Sequence, residues 1–145
     1  MYEFLDFQVQ DVMSKPVVVA PDSTLAEVER LLEENDWNGL PVVAHGKLVG
    51  FVTSLDLLAA FDFGPDSLLP PYAQIMQRHV ATVMTRQPET VTPRTPLTRV
   101  LTKLVETRNK SFAVVDPDDR LVGVVSREDV MRALRRADAG QAPGA

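Results

Sequence analysis

Two hydroxyl–carboxylate pairs at the same spacing, Thr53 with Asp56 and Ser126 with Asp129, are where this sequence could do chemistry. Each closes an apolar run, Leu48 to Thr53 or Leu121 to Ser126, at a point where a helix is expected to open. A strand ending at a helix-opening hydroxyl gathers free backbone N–H groups, the positive helix end and the hydroxyl at one spot, which suits a phosphate. A carboxylate three residues later repels phosphate but accepts hydrogen bonds from vicinal ribose hydroxyls. Sugar on the acid and phosphate near the hydroxyl is therefore a consistent pose, and Arg127 adds a positive charge beside the second pair. The same spacing is also an ordinary capping arrangement, which needs no ligand.

Composition removes most other chemistries. The 145 residues include no cysteine, so disulfides, thiolate catalysis and cysteine-ligated zinc are excluded. His45 and His79 stand apart and leave little to hold a metal; no catalytic residue, metal site or catalytic cofactor is expected. With 45% apolar and 24% charged residues the chain reads as an ordinary globular protein. No apolar run approaches the roughly 18 residues of a membrane span. The opening Met1-Tyr2-Glu3-Phe4-Leu5-Asp6 carries acids where a signal peptide carries basic residues, so a cytoplasmic location without membrane contact is expected. The net charge is −5, with 3 basic and 12 acidic side chains up to residue 72 and 12 basic and 8 acidic after it. An acidic total argues against a nucleic-acid binder, although the basic half can meet phosphates.

The chain is one unit written twice. Asp11-Val12-Met13-Ser14-Lys15 recurs as Thr82-Val83-Met84-Thr85-Arg86, and Val19-Ala20-Pro21 as Val91-Thr92-Pro93. Leu48-Val49-Gly50-Phe51-Val52-Thr53-Ser54-Leu55-Asp56 returns as Leu121-Val122-Gly123-Val124-Val125-Ser126-Arg127-Glu128-Asp129. Each copy predicts a strand (Val17 to Val19; Thr90 to Thr92) and then an amphipathic helix with the stripe Leu25, Val28, Leu31, Leu32 or Leu97, Val100, Leu101, Leu104. Thr24 with Glu27 makes a capping box in the first; in the second Thr95 is expected to cap, with Pro96 as the first helical residue. Two strands follow, Leu40 to Ala44 with Leu48 to Thr53 and Phe112 to Val115 with Leu121 to Ser126, and then a closing helix, Leu55 to Phe61 or Glu128 to Arg136.

The expected architecture is thus α/β of the α+β kind, with the order β-α-β-β-α twice. About 60 residues with three strands bury too little surface alone, so two copies packed by their sheets with pseudo-two-fold symmetry are the expected unit. The boundaries are residues 1–61 for the first repeat, 62–79 for an ordered connector, 80–137 for the second repeat and 138–145 for a disordered tail. The connector holds Gly64-Pro65-Asp66, Pro70-Pro71 and a short helix from Tyr72 to Arg78. Gly50 and Gly123 are read as allowing close packing or a strand bend. Trp37 is placed at the edge of the core and His45 in an exposed turn.

Taken in order, two copies of Val-Met-(Ser/Thr)-(Lys/Arg), strand-Pro, amphipathic helix, apolar strand and Gly-x-x-(Thr/Ser)-x-x-Asp resemble the CBS domain, here as a tandem pair or Bateman module. The resemblance covers about Val9 to Ala137. It implies a non-catalytic sensory module whose clefts bind AMP, ADP, ATP or S-adenosylmethionine, which assembles as a homodimer through its paired helices and signals to an effector protein.

It also implies crossed clefts. Thr53 and Asp56 would share one with Thr90, Val91, Thr92, Lys110 and Ser111. Ser126, Arg127 and Asp129 would share the other with Val18, Val19, Ala20, Asn38 and Gly39. Lys110 favours charged phosphates in the first, whereas Arg127 is the main phosphate candidate in the second. Rival readings are a ligand-independent dimerising scaffold and, less favoured, a nucleic-acid-binding module.

Overall fold

The motif Val-Met-(Ser/Thr) of each repeat completes the sheet of the other repeat. This is visible in the computed structural model, which describes residues 3–62 and 71–144. The chain divides into two compact units, Val17–Pro88 on one hand and Met1–Pro16 with Glu89–Ala145 on the other. The boundary falls just after each opening motif, so each unit contains most of one sequence repeat and the opening segment of the other.

In the unit 17–88, strand β1 (Gly39–Ala44) pairs antiparallel with β2 (Lys47–Thr53), and β3 (Thr85–Arg86) adds to the far edge of β2. Their hairpin turns at His45 and Gly46, both at positive φ (53° and 78°), the conformation a two-residue turn between twisted strands requires. The expected strand Val17 to Val19 is reduced to one parallel bridge, Val19 with Val42. Helix α1 (Leu25–Asn35) opens at Thr24, whose hydroxyl accepts from the Glu27 amide, so half of the expected capping box is present. Helix α2 (Ser54–Ala59) follows β2, and α3 (Tyr72–Met76) is shorter than the expected 72–78. The apolar periodicity has the expected result: Leu25, Val28, Leu32, Leu40, Val42, Val52 and Leu57 are buried together with Ile75, Met76 and Val80 from the connector side. Gly64-Pro65-Asp66 and Pro70 of the expected connector lie outside the described residues.

In the other unit, β4 (Thr90–Val91) runs parallel to β5 (Ser111–Val115), which pairs antiparallel with β6 (Leu121–Ser126). Ser14 bridges Val124 at the far edge of β6, with N–H···O contacts of 2.8 and 3.0 Å in the two directions. Helix α4 (Leu97–Thr107) and helix α5 (Arg127–Asp138) cover the sheet. Thr95 does not cap α4: its hydroxyl accepts from the Thr92 amide, Pro96 is the N-cap residue, and the helix begins one residue later than expected. The Leu97 amide instead donates to the Phe7 carbonyl at 3.1 Å, and Phe7 is fully buried with Val9, Leu97, Val100 and Phe112. The tail past α5 folds back, with Gln141 N–H donating to Arg136 O and the Arg136 guanidinium donating to Ala142 O.

The two matched glycines face the exchanged segments. A Cβ on Gly50 would lie 2.6 Å from Met84 Sδ and 2.9 Å from the Thr85 carbonyl oxygen; one on Gly123 would lie 2.8 Å from Met13 Sδ and 3.2 Å from Ser14 O. Close packing is therefore a reason for both, and each glycine also stands beside a register shift in its hairpin, between Val42 and Val43 opposite Gly50 and between Val114 and Val115 opposite Gly123. Gly50→Ala is expected to cost about 1–3 kcal/mol by overpacking. Gly123→Ala should cost less, because the backbone oxygen it meets is further off, Ser14 O at 3.2 Å against Thr85 O at 2.9 Å, while the methionine end at each site can move. Urea denaturation of the two variants checks the order, and equal stability to the parent at Gly50 would contradict the packing.

Candidate functional site

Thr53 ends β2 and N-caps α2, and Ser126 does the same between β6 and α5. In both, a reciprocal capping box forms. Thr53 Oγ1 accepts from the Asp56 amide at 3.2 Å, while Asp56 Oδ2 accepts from the Thr53 amide at 2.9 Å and from its hydroxyl at 3.1 Å. Ser126 Oγ accepts from the Asp129 amide at 3.2 Å, and Asp129 Oδ2 accepts from Ser126 N and Oγ at 2.9 and 3.0 Å. The capping reading is thus correct for both pairs, yet it uses only one carboxylate oxygen of each.

The second oxygen separates the two repeats. Asp56 Oδ1 receives no hydrogen bond from the described residues, and Asp56 is half-buried. Asp129 is 2% exposed. Its Oδ1 accepts from Arg132 Nη1 at 3.1 Å, an ion pair, and from Ser14 Oγ at 3.4 Å. Arg132 was within reach of sequence reasoning, since a cation three residues after an acid on a helix faces it. Ser14 was not, because 115 positions separate it from Asp129.

The remaining candidates divide between the units. In the unit 17–88, Gly39 is the register partner of Thr53, and the Asn38 carbonyl accepts from the Ser54 amide at 2.9 Å, so Asn38 and Gly39 stand beside the Thr53–Asp56 junction. Val18, Val19 and Ala20 line a groove of about 400 Å³ with Ser23, Glu27, Arg30, Leu31 and Val43. In the other unit, Ser111 is the register partner of Ser126, Thr90 and Val91 pair with Ala113 and Val114, and the Lys110 carbonyl accepts from the Arg127 amide at 3.0 Å. Thr92 turns its hydroxyl toward Thr95 at 3.0 Å. Arg127 has a structural occupation that the sequence did not suggest. Its guanidinium donates to Arg108 O at 2.7 Å and Asn109 O at 3.0 Å, closing the C-terminus of α4 where Arg108 adopts φ 59°.

Trp37, 38% exposed, lines a groove of about 530 Å³ with Leu57, Leu58, Phe61, Tyr72 and the carboxylates of Glu29, Glu33 and Asp36. The Tyr72 hydroxyl donates to Glu29 at 2.6 Å, and this bond, aided by the negative charge of Glu29 and Glu33, raises the phenol above its ordinary value. Among the described residues no helix is long and apolar enough to cross a membrane.

The CBS domain family matches residues 9–62 and 80–136. Protein MJ0188 of Methanocaldococcus jannaschii is 32% identical over 132 residues, covering 89% of this chain and 44% of that protein; the chain spans less than half of that relative's length. Among solved structures, CBSX2 in complex with AMP superposes with a TM-score of 0.78 at 32% identity, over 91% of this chain and 98% of that one. CBSX2 is a protein of Arabidopsis thaliana. The CBS domain pair of protein MJ0100 in complex with 5′-methylthioadenosine and S-adenosyl-L-methionine superposes with a TM-score of 0.71 at 31% identity, over 86% of this chain and 93% of that one.

Proposed function

Because the chain belongs to the CBS domain family, as a tandem pair of CBS repeats, we propose that it is a cytoplasmic regulatory module that binds an adenosine-containing ligand and reports its occupancy to a partner protein. The observation that carries this reading is the Thr53–Asp56 junction, where a half-buried carboxylate is fixed by its own capping box and one of its oxygens takes no hydrogen bond from the described residues. Vicinal ribose hydroxyls are donors suited to that oxygen. The adenosine ligands of the two solved relatives, AMP in one and 5′-methylthioadenosine with S-adenosyl-L-methionine in the other, support the same class of ligand here.

AMP, ADP, ATP and S-adenosylmethionine share the ribose and differ in charge. Selection among them falls to the cations, and Lys110, next to the strand that opens at Ser111, is the residue proposed to favour phosphate. The base needs apolar walls and backbone hydrogen bonds more than a particular side chain. The hydroxyls of Thr53 and Ser126 each donate to a carboxylate within a capping box, so their role is to position that carboxylate, and the proposed activity is binding without turnover.

Assembly as a homodimer is part of the proposal, through the faces of α2 and α5 that leave Leu55, Leu58 and Met131 at 71%, 68% and 52% exposure. Titration calorimetry of the purified chain with AMP, ADP, ATP and S-adenosylmethionine, with the mass in solution measured by sedimentation, tests the reading. Heat with at least one ligand and a mass near twice that of the chain are expected. A folded sample that gives no heat with any of the four, and whose melting temperature none of them moves, would leave the ligand-independent scaffold as the surviving account.

A further inference from the structure

An ionised carboxylate offers about four acceptor positions. Asp129 has all four in use, two on Oδ2 from Ser126 and one each on Oδ1 from Arg132 and Ser14. Among the described residues Asp56 has two in use, both on Oδ2. The repeats are otherwise matched at this junction, so the difference rests on two positions. The counterpart of Arg132 in the first repeat is Ala59, an exposed residue on the last turn of α2. The counterpart of Ser14 is Thr85, whose hydroxyl makes no bond to Asp56 among the described residues.

From this we infer that Arg132 is a latch on the second repeat: it holds the Asp129 carboxylate against a ribose, so that the chain takes one adenosine ligand, on Asp56, and none on Asp129. The inference rests on the ligand reading above. To accept two ribose hydroxyls, Asp129 must give up the Arg132 bond and the Ser14 bond while 2% exposed, where water cannot easily replace either. The Arg132 side chain is 52% exposed, so it can swing out into solvent; the latch is releasable and not a fixed part of the core. Arg132 acts here through Asp129 as a positioning residue, and it is not assigned a contact with the ligand.

Stoichiometry reads the latch directly. In titrations of the full chain with AMP, ADP, ATP and S-adenosylmethionine in turn, the parent protein is expected to bind one equivalent. Arg132→Ala is expected to bind two, the second lost again in the double variant Arg132→Ala/Asp129→Ala. The converse graft, Ala59→Arg, places the same cation three residues after Asp56 on an exposed site and is expected to weaken binding about ten- to hundred-fold; it keeps the test open if Arg132→Ala folds poorly. Two equivalents in the parent, an unchanged single equivalent in a folded Arg132→Ala, or tighter binding in Ala59→Arg would each overturn the latch. No heat in the parent with any ligand would instead remove the ligand reading beneath it.

Discussion

Asp56→Ala is expected to abolish the heat of adenosine-ligand binding, whereas Asp129→Ala is expected to leave it unchanged. Two ribose hydroxyls donating to a charged acceptor contribute roughly 1.5–3 kcal/mol each, so their loss corresponds to a drop in affinity of a hundred-fold or more. The structural cost of the same substitution is small. Thr53 keeps its hydroxyl bond to the amide at position 56, and only the reciprocal half of the capping box is removed, about 1 kcal/mol. Asp56→Asn sharpens the comparison because it keeps the shape and one acceptor oxygen but not the charge; it should fold like the parent and bind weakly. Calorimetry beside a melting curve separates a lost ligand contact from a lost fold. Affinity that survives Asp56→Ala and disappears with Asp129→Ala would assign the ribose to the other repeat.

Phe7→Ala is expected to be the most damaging single substitution for stability, at about 3–5 kcal/mol, where a typical domain has only about 5–15 kcal/mol in all. Phe7 is fully buried, stacks on Phe4 with ring centroids 6.4 Å apart, and lies under the Arg136 guanidinium at 5.5 Å. Its backbone matters as well, since its carbonyl satisfies the first amide of α4. Leu5, two residues away and 70% exposed, is the control: Leu5→Ala should change stability by less than about 0.5 kcal/mol. Urea denaturation of both variants decides the matter. A loss below about 1 kcal/mol at Phe7 would mean that the opening segment is not part of the folded core.

These two residues also mark how far the sequence could be read. Asp56 was legible because its role is local: a hydroxyl, a spacing of three and an apolar strand before it fix the junction, and the same words recur at Ser126. The strand Leu121 to Ser126 and the buried stripe of α4 follow from short-range periodicity and hold as expected, apart from Leu101, which is 36% exposed. Phe7 was not legible, because nothing near it in sequence says that residues 95 and 97 will receive its segment. Thr95 failed as a cap for the same reason: the amide it was expected to satisfy is taken by Phe7 instead. Ser14 on Asp129 and the glycines under Met13 and Met84 belong to this class of long-range fact. Arg127 shows a different limit, since a guanidinium near a candidate anion site can as well bind the carbonyls of a neighbouring helix end.

The exchange of opening segments also sets an order of events. On a ribosome, Phe7 and Ser14 emerge well before their partners, Leu97 and Val124, which are made roughly a hundred residues later. The segment around Phe7 and Ser14 therefore waits, without these partners, until both have been synthesised. Pairing across such a separation is slow, because the loop must close before any contact rewards it. The sheet of residues 17–88 draws all three of its strands from one continuous stretch, so its pairings need no closure of that length.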